Sequence, residues 1–142
     1  MQEYIDFLTN NPMLSLAWVA IAVLLIHHQI KDKISGVKNI TTQEATMLIN
    51  KQDAIVVDVR SKEDFQNGHI VNAKNITLSQ IEKGSFSAIE SHKQTPIIVV
   101  CDTGARSASA TSKLVKAEFT QVTNLFSGMS GWKSANLPTT KK

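Results

Sequence analysis

Cysteine is nearly absent: one residue in 142, Cys101, so no internal disulfide can staple this chain, and a reducing compartment suits it. Proline and glycine are also sparse, at three and six residues, which excludes collagen-like and Pro/Gly-rich disordered classes. The aromatic fraction is only 6% and the net charge only +3, with no basic stripe interleaved with aromatics, so nucleic-acid binding is not expected. Lys and Arg are missing from the first 30 residues, which carry only Glu3 and Asp6 as charges. What is present is a near-average hydrophobic fraction of 42%, enough for one globular domain of this length.

The hydrophobic residues are unevenly placed. Phe7 to Ile30 carries no formal charge, and Met13–Ile26 is apolar apart from Ser15. No basic leader precedes the run, which argues against a cleavable signal peptide. As a helix rising about 1.5 Å per residue, residues 12–30 span roughly 28 Å, close to the hydrocarbon thickness of a bilayer. Pro12 stands where a helix's first turn tolerates proline. The expectation is a transmembrane anchor within residues 1–30, touching lipid through residues 12–30. Lys31, Lys33 and Lys38 follow it, so the positive-inside bias predicts a single-pass inner-membrane protein with its remainder in the cytoplasm. Trp18 reads as facing lipid or a partner. His27 and His28 read as interfacial polar residues rather than ligands, because adjacent helical residues do not share a face.

Residues 31–38 read as a polar linker, 39–138 as a globular domain and 139–142 as a tail. Thr41 to Glu44 form a capping-box start with Ala45, Leu48 and Ile49 at helical spacing behind it. Residues 54–59 and 96–100 are β-branched runs of the kind buried on both sheet faces. Weaker strands are expected at 73–77 and 122–125, and helices from Ser61 to Gly68, over 78–82, 86–92 and 107–119. Strands alternating with helices predict an α/β fold, a small parallel sheet flanked by helices.

Cys101 directly follows the second buried run and precedes a helix starting near Arg106. In open α/β sheets ligands bind beyond the carboxyl ends of strands. Gly104 lets the intervening chain curl so that amides converge on one point, and the helix adds its positive end. With Arg106 these groups favour thiolate, the nucleophilic form. Asp102 opposes this unless its carboxylate faces solvent, as we expect. The competing reading makes Cys101 a small buried hydrophobe.

The segment Cys101-Asp102-Thr103-Gly104-Ala105-Arg106-Ser107 resembles the active-site loop of the rhodanese family of sulfurtransferases. Asp58-Val59-Arg60, Asp64-Phe65, Gly68-His69-Ile70, Ala73 and Asn75-Ile76 are similar to its N-terminal signature. Leu125, Gly128, Gly131-Trp132 and Leu137-Pro138 are similar to its C-terminal one. The resemblance covers residues 39–138, and with the anchor it looks like small membrane-tethered bacterial rhodaneses. It implies a rhodanese-like fold and a two-step transfer: Cys101 takes a sulfane sulfur from thiosulfate or a persulfide and passes it to a nucleophilic acceptor, without metal or organic cofactor.

Residues 102–106 are then the substrate-binding loop, and Asp58, Arg60 and His69 its structural support. Arg106 braces the loop and contributes charge. Four residues separate Cys101 from Arg106, whereas cysteine phosphatases carry five, so the shorter loop suits sulfur better than phosphate. The family's thiosulfate enzymes often place basic residues where Asp102 and Thr103 stand, so a persulfide donor is equally open. Trp132 is expected as a hydrophobic lid or packed on the final helix, with Gly128 and Gly131 as turns before it. The alternative function is a tethered recognition or scaffold module with little catalysis, working beside a membrane-protein partner.

Overall fold

The structure is a computed structural model describing residues 12–34 and 36–141, with side chains given for residues 12–26 and 36–141. The chain divides into two compact units, Met1–Ser35 and Gly36–Lys142. In the first, helix α1 spans Pro12–Ile34. Ten large apolar side chains between Met13 and Ile26 are each more than half exposed, Trp18 among them at 72%. Among the described residues no helix is long and apolar enough to cross a membrane. The expected transmembrane span is thus not found: the apolar stretch Met13–Ile26 gives about 21 Å of helix, short of about 30 Å of hydrocarbon. The charges at Glu3 and Asp6 and the side chains of His27 and His28, used in that expectation, lie outside the described residues.

The second unit is built on five parallel strands. These are β1 (Lys38–Ile40), β2 (Ile55–Asp58), β4 (Lys74–Asn75), β5 (Ile97–Val100) and β6 (Val122–Leu125), in the order β1-β6-β5-β2-β4. Helices α2 (Thr42–Gln52), α3 (Lys62–Asn67), α4 (Leu78–Glu82), α5 (Ala105–Lys116) and α6 (Gly128–Ser134) connect and cover them. Strand β5 is central and entirely buried, which is why its sequence is an unbroken β-branched run. Its alternate residues serve opposite cores. Ile97 and Val99 pack with Leu114 of α5 and Ile81 of α4, while Ile98 and Val100 pack with Ala45 of α2 and Met129 and Trp132 of α6. This period of two carries through to Cys101, which falls on the α5 side.

Local chemistry sets the element ends. Thr41 caps α2 by accepting from the Glu44 amide at 3.3 Å, and its own amide donates to the Glu44 carboxylate at 2.8 Å. Helix α5 buries Ser107, Ala110, Thr111 and Leu114, an i, i+3, i+4, i+7 stripe. It begins two residues earlier than its sequence pattern suggests and ends at Lys116. Only a 3-10 turn, Glu90–His92, stands where the helix over 86–92 was expected.

The expected boundaries also change. Residues 31–34 are helical and Lys38 opens β1, so 31–38 is not a linker throughout. Strand β7 (Thr139–Thr140) pairs antiparallel with β3 (His69–Ile70), drawing part of the expected tail into the domain. Two-residue strands carry too little periodicity to read in sequence. Gly131 is not a turn but lies inside α6.

Removing the reciprocal cap by Thr41→Ala is expected to destabilise the domain by about 1 kcal/mol. Urea denaturation checks this as a lower midpoint at unchanged slope.

Candidate active site

Cys101 leaves the carboxyl end of β5 and is 1% exposed. The Gly104 amide donates to its Sγ at 3.1 Å, and the Ser107 hydroxyl donates to it at 3.4 Å. The amides of Thr103 and Ser107 also favour the charged sulfur. Burial pushes the Cys101 thiol up, but these four donors outweigh it and bring the pKa below the ordinary 9.0. Two of them, the hydroxyl and amide of Ser107, lie in the first turn of α5. That helix has no side-chain N-cap, so its unpaired donors are free for the sulfur.

The loop's peptide planes are fixed from outside. The Met129 amide donates to the Cys101 carbonyl at 2.7 Å, and the Ser130 amide to the Asp102 carbonyl at 3.0 Å. These are first-turn donors of α6, which also lacks a side-chain cap. Since N–H and C=O oppose each other across a trans peptide, holding the Asp102 carbonyl toward α6 turns the Thr103 amide the other way, toward the sulfur. Two glycines permit this approach. Gly104 sits at φ 93°, and a Cβ there would overlap the Phe126 carbonyl. Gly128 sits at φ 56°, and a Cβ there would lie 2.5 Å from the Cys101 and Asp102 carbonyl oxygens.

A buried ion pair forms the flank. Arg60 Nη2 lies 2.7 Å from Asp58 Oδ2, its Nε donates to both carboxylate oxygens, and the Arg60 amide donates to Asp58 Oδ1 at 3.0 Å. Arg60 also donates to the Gly68 carbonyl at 2.8 Å and lies 3.5 Å from Asp102 Oδ1. Burial works against its charge, but Asp58, with help from Asp102 and Asp64, raises its pKa. Asn75 donates to the Asp58 and Arg60 carbonyls at 3.0 Å each, tying β4 to the same turn.

His69 Nδ1 donates to the Phe65 carbonyl at 2.7 Å, and the two rings stack at 3.7 Å. Its near nitrogen is therefore committed to holding α3 against β3. Arg106 does not reach the sulfur; its guanidinium pairs with Asp102. Asp102, expected to face solvent, is 43% exposed and lies between the two arginines. Thr103 and Ala105 are exposed rim residues. Trp132 is not a lid: it is 3% exposed inside α6, with Nε1 donating to the Pro138 carbonyl.

Sequence reasoning gave no role to Ser107, Asn124, Met129 or Ser130. A hydroxyl residue in the first turn of the helix after the cysteine was the available signal for Ser107. Asn124, which donates to the Gly104 carbonyl at 3.2 Å, and the α6 amides carry no local signal, since they act across the fold. Among the described residues no group of His, Cys, Asp and Glu could hold a metal ion.

These features define a parallel α/β domain with a donor-lined cysteine loop at the carboxyl edge of its sheet. The family model for the Rhodanese-like domain matches residues 41–135, and the chain belongs to that family. The chain is 43% identical over 138 residues to the uncharacterized protein YibN of Escherichia coli K12, covering 97% of this chain and 96% of YibN. It is 33% identical over 97 residues to the thiosulfate sulfurtransferase GlpE of Coxiella burnetii, covering 68% of this chain and 88% of GlpE. The crystal structure of a rhodanese-related protein from Thermoplasma volcanium shares the fold. Its TM-score is 0.63 at 24% identity, covering 74% of this chain and 99% of that one.

Ser107→Ala removes the hydroxyl donor, so the pH midpoint of Cys101 alkylation by iodoacetamide is expected to move upward. An unchanged midpoint would show that the hydroxyl does not stabilise the thiolate.

Proposed function

We propose that this protein is a sulfurtransferase working through a persulfide on Cys101. The observation that carries the reading is the convergence of the Thr103, Gly104 and Ser107 amides and the Ser107 hydroxyl on Sγ. Such donors stabilise an anionic sulfur without a protonated partner. With thiosulfate as donor, the Cys101 thiolate attacks the outer sulfur. The S–S bond of thiosulfate breaks, its electron pair leaves as sulfite, and Cys101 carries –S–S⁻. In the second step an acceptor thiolate attacks the terminal sulfur, takes it as R–S–S⁻ and releases the Cys101 thiolate. No proton is moved and no cofactor is required, so the commitment of His69 to Phe65 is no obstacle. The likeness to GlpE, named as a thiosulfate sulfurtransferase, supports the same chemistry.

The near-complete burial of Cys101 favours the second reading, a recognition or scaffold module. Intact-protein mass spectrometry after treatment with thiosulfate or polysulfide separates the two. The enzyme gains one sulfur, about 32 Da, and Cys101→Ser gains none. No adduct with either donor would leave the binding module.

We also propose attachment to the cytoplasmic membrane through α1, with the rhodanese-like domain on the cytoplasmic side. The support is the apolar, exposed side chains of residues 13–26 of α1, with Lys31 and Lys33 in the helix's last turn and Lys38 beyond it. The full-length protein is expected to stay with membranes through an alkaline carbonate wash. Release into the supernatant would overturn membrane integration.

A further inference from the structure

One carboxylate holds two guanidinium groups at the mouth of the cup. Asp102 Oδ1 lies 3.5 Å from Arg60 Nη1, and Asp102 Oδ2 takes Arg106 Nη2. Arg60 is buried against Asp58, while the Asp102 and Arg106 side chains are 43% and 49% exposed, so the second pair lies at the surface of the cysteine loop, where a donor approaching Cys101 from solvent would meet it. Arg106 lies in the first turn of α5, one turn past Asp102, where a free guanidinium would meet an incoming anion. Paired with Asp102, it offers that anion almost no net attraction, and the carboxylate itself repels. The amides around Sγ supply dipoles for one anionic sulfur but no formal charge to balance further negative charges.

We infer that Asp102 is the specificity-determining residue for the sulfur donor, selecting low-charge hydropersulfides, R–S–SH, over the thiosulfate dianion. The inference rests on the sulfur-transfer reading above and names its donor class. With a hydropersulfide the Cys101 thiolate attacks the terminal sulfur. The donor's S–S bond breaks, its electron pair leaves on R–S⁻, and Cys101 carries –S–SH. One negative charge enters this step and one leaves. With thiosulfate three negative charges must gather at a mouth whose entrance cation is already occupied.

The test compares thiosulfate and cysteine hydropersulfide as donors to the full-length protein and to Asp102→Asn, which keeps the side chain's shape and removes its charge. In the variant kcat/KM for thiosulfate is expected to rise roughly tenfold relative to cysteine hydropersulfide, mainly through KM, and to lose that gain as salt is added. The gain should vanish in the double variant Asp102→Asn with Arg106→Gln, because the released guanidinium is its source. Equal changes for both donors, or a gain that survives in the double variant, would overturn the inference. A Cys101 sulfur adduct with an unchanged donor ratio counts against the role of Asp102 alone. No adduct from either donor on the unaltered protein counts against sulfur transfer itself.

Discussion

Two hydrogen bonds from α6, from the Met129 amide to the Cys101 carbonyl and from the Ser130 amide to the Asp102 carbonyl, turn the peptide planes on which the site depends. A short loop has few conformations that aim successive amides at one atom, and here two of its carbonyls are held from outside by α6. A helix start must find acceptors for its first amides, and a sulfur cup must find donors for its outward carbonyls. Each need meets the other. Gly104 and Gly128 are the positions where the chains approach too closely for a Cβ. The thiolate-stabilising geometry is therefore a property of one loop held between the starts of two helices that cover opposite faces of the sheet.

The second constraint is the Asp58–Arg60 pair. Burying two charges is unfavourable unless the remaining hydrogen-bonding capacity is also met. Here Asp58 accepts from the Arg60 amide as well as its guanidinium, and Arg60 finds the Gly68 carbonyl. The pair thus fixes the turn after β2, the end of α3 and one side of the cup. Arg60 also reaches Asp102, which joins this rigid flank to the exposed Arg106 at the entrance. Charge at the mouth is set by how one carboxylate is shared, and not by the number of arginines nearby.

Legibility in the sequence followed the strength of local signals. The runs around Val56 and Ile98 announced buried parallel strands because burial on both faces demands unbroken apolar residues. The capping box at Thr41 was equally plain, because its partners lie three residues apart. The pairing of β3 with β7 was not legible, nor was the helical setting of Gly131 and Trp132, since both depend on contacts distant in the chain. The apolar run ahead of Ile26 was obvious as a composition, yet the described helix falls short of a membrane span.

The sequence by itself determined the alternation of strands and helices, the family resemblance and the identity of Cys101 as the residue to watch. These rest on residue type and spacing along the chain. Only the tertiary structure decided which groups surround the sulfur, because the curl of the loop into the first turn of α5 sets its donors and a bond from distant α6 holds the peptide plane that carries the Thr103 amide. It also decided that Arg106 bonds a carboxylate and not the sulfur. A long flexible cation takes whichever partner packing brings within reach, and sequence spacing does not encode that choice.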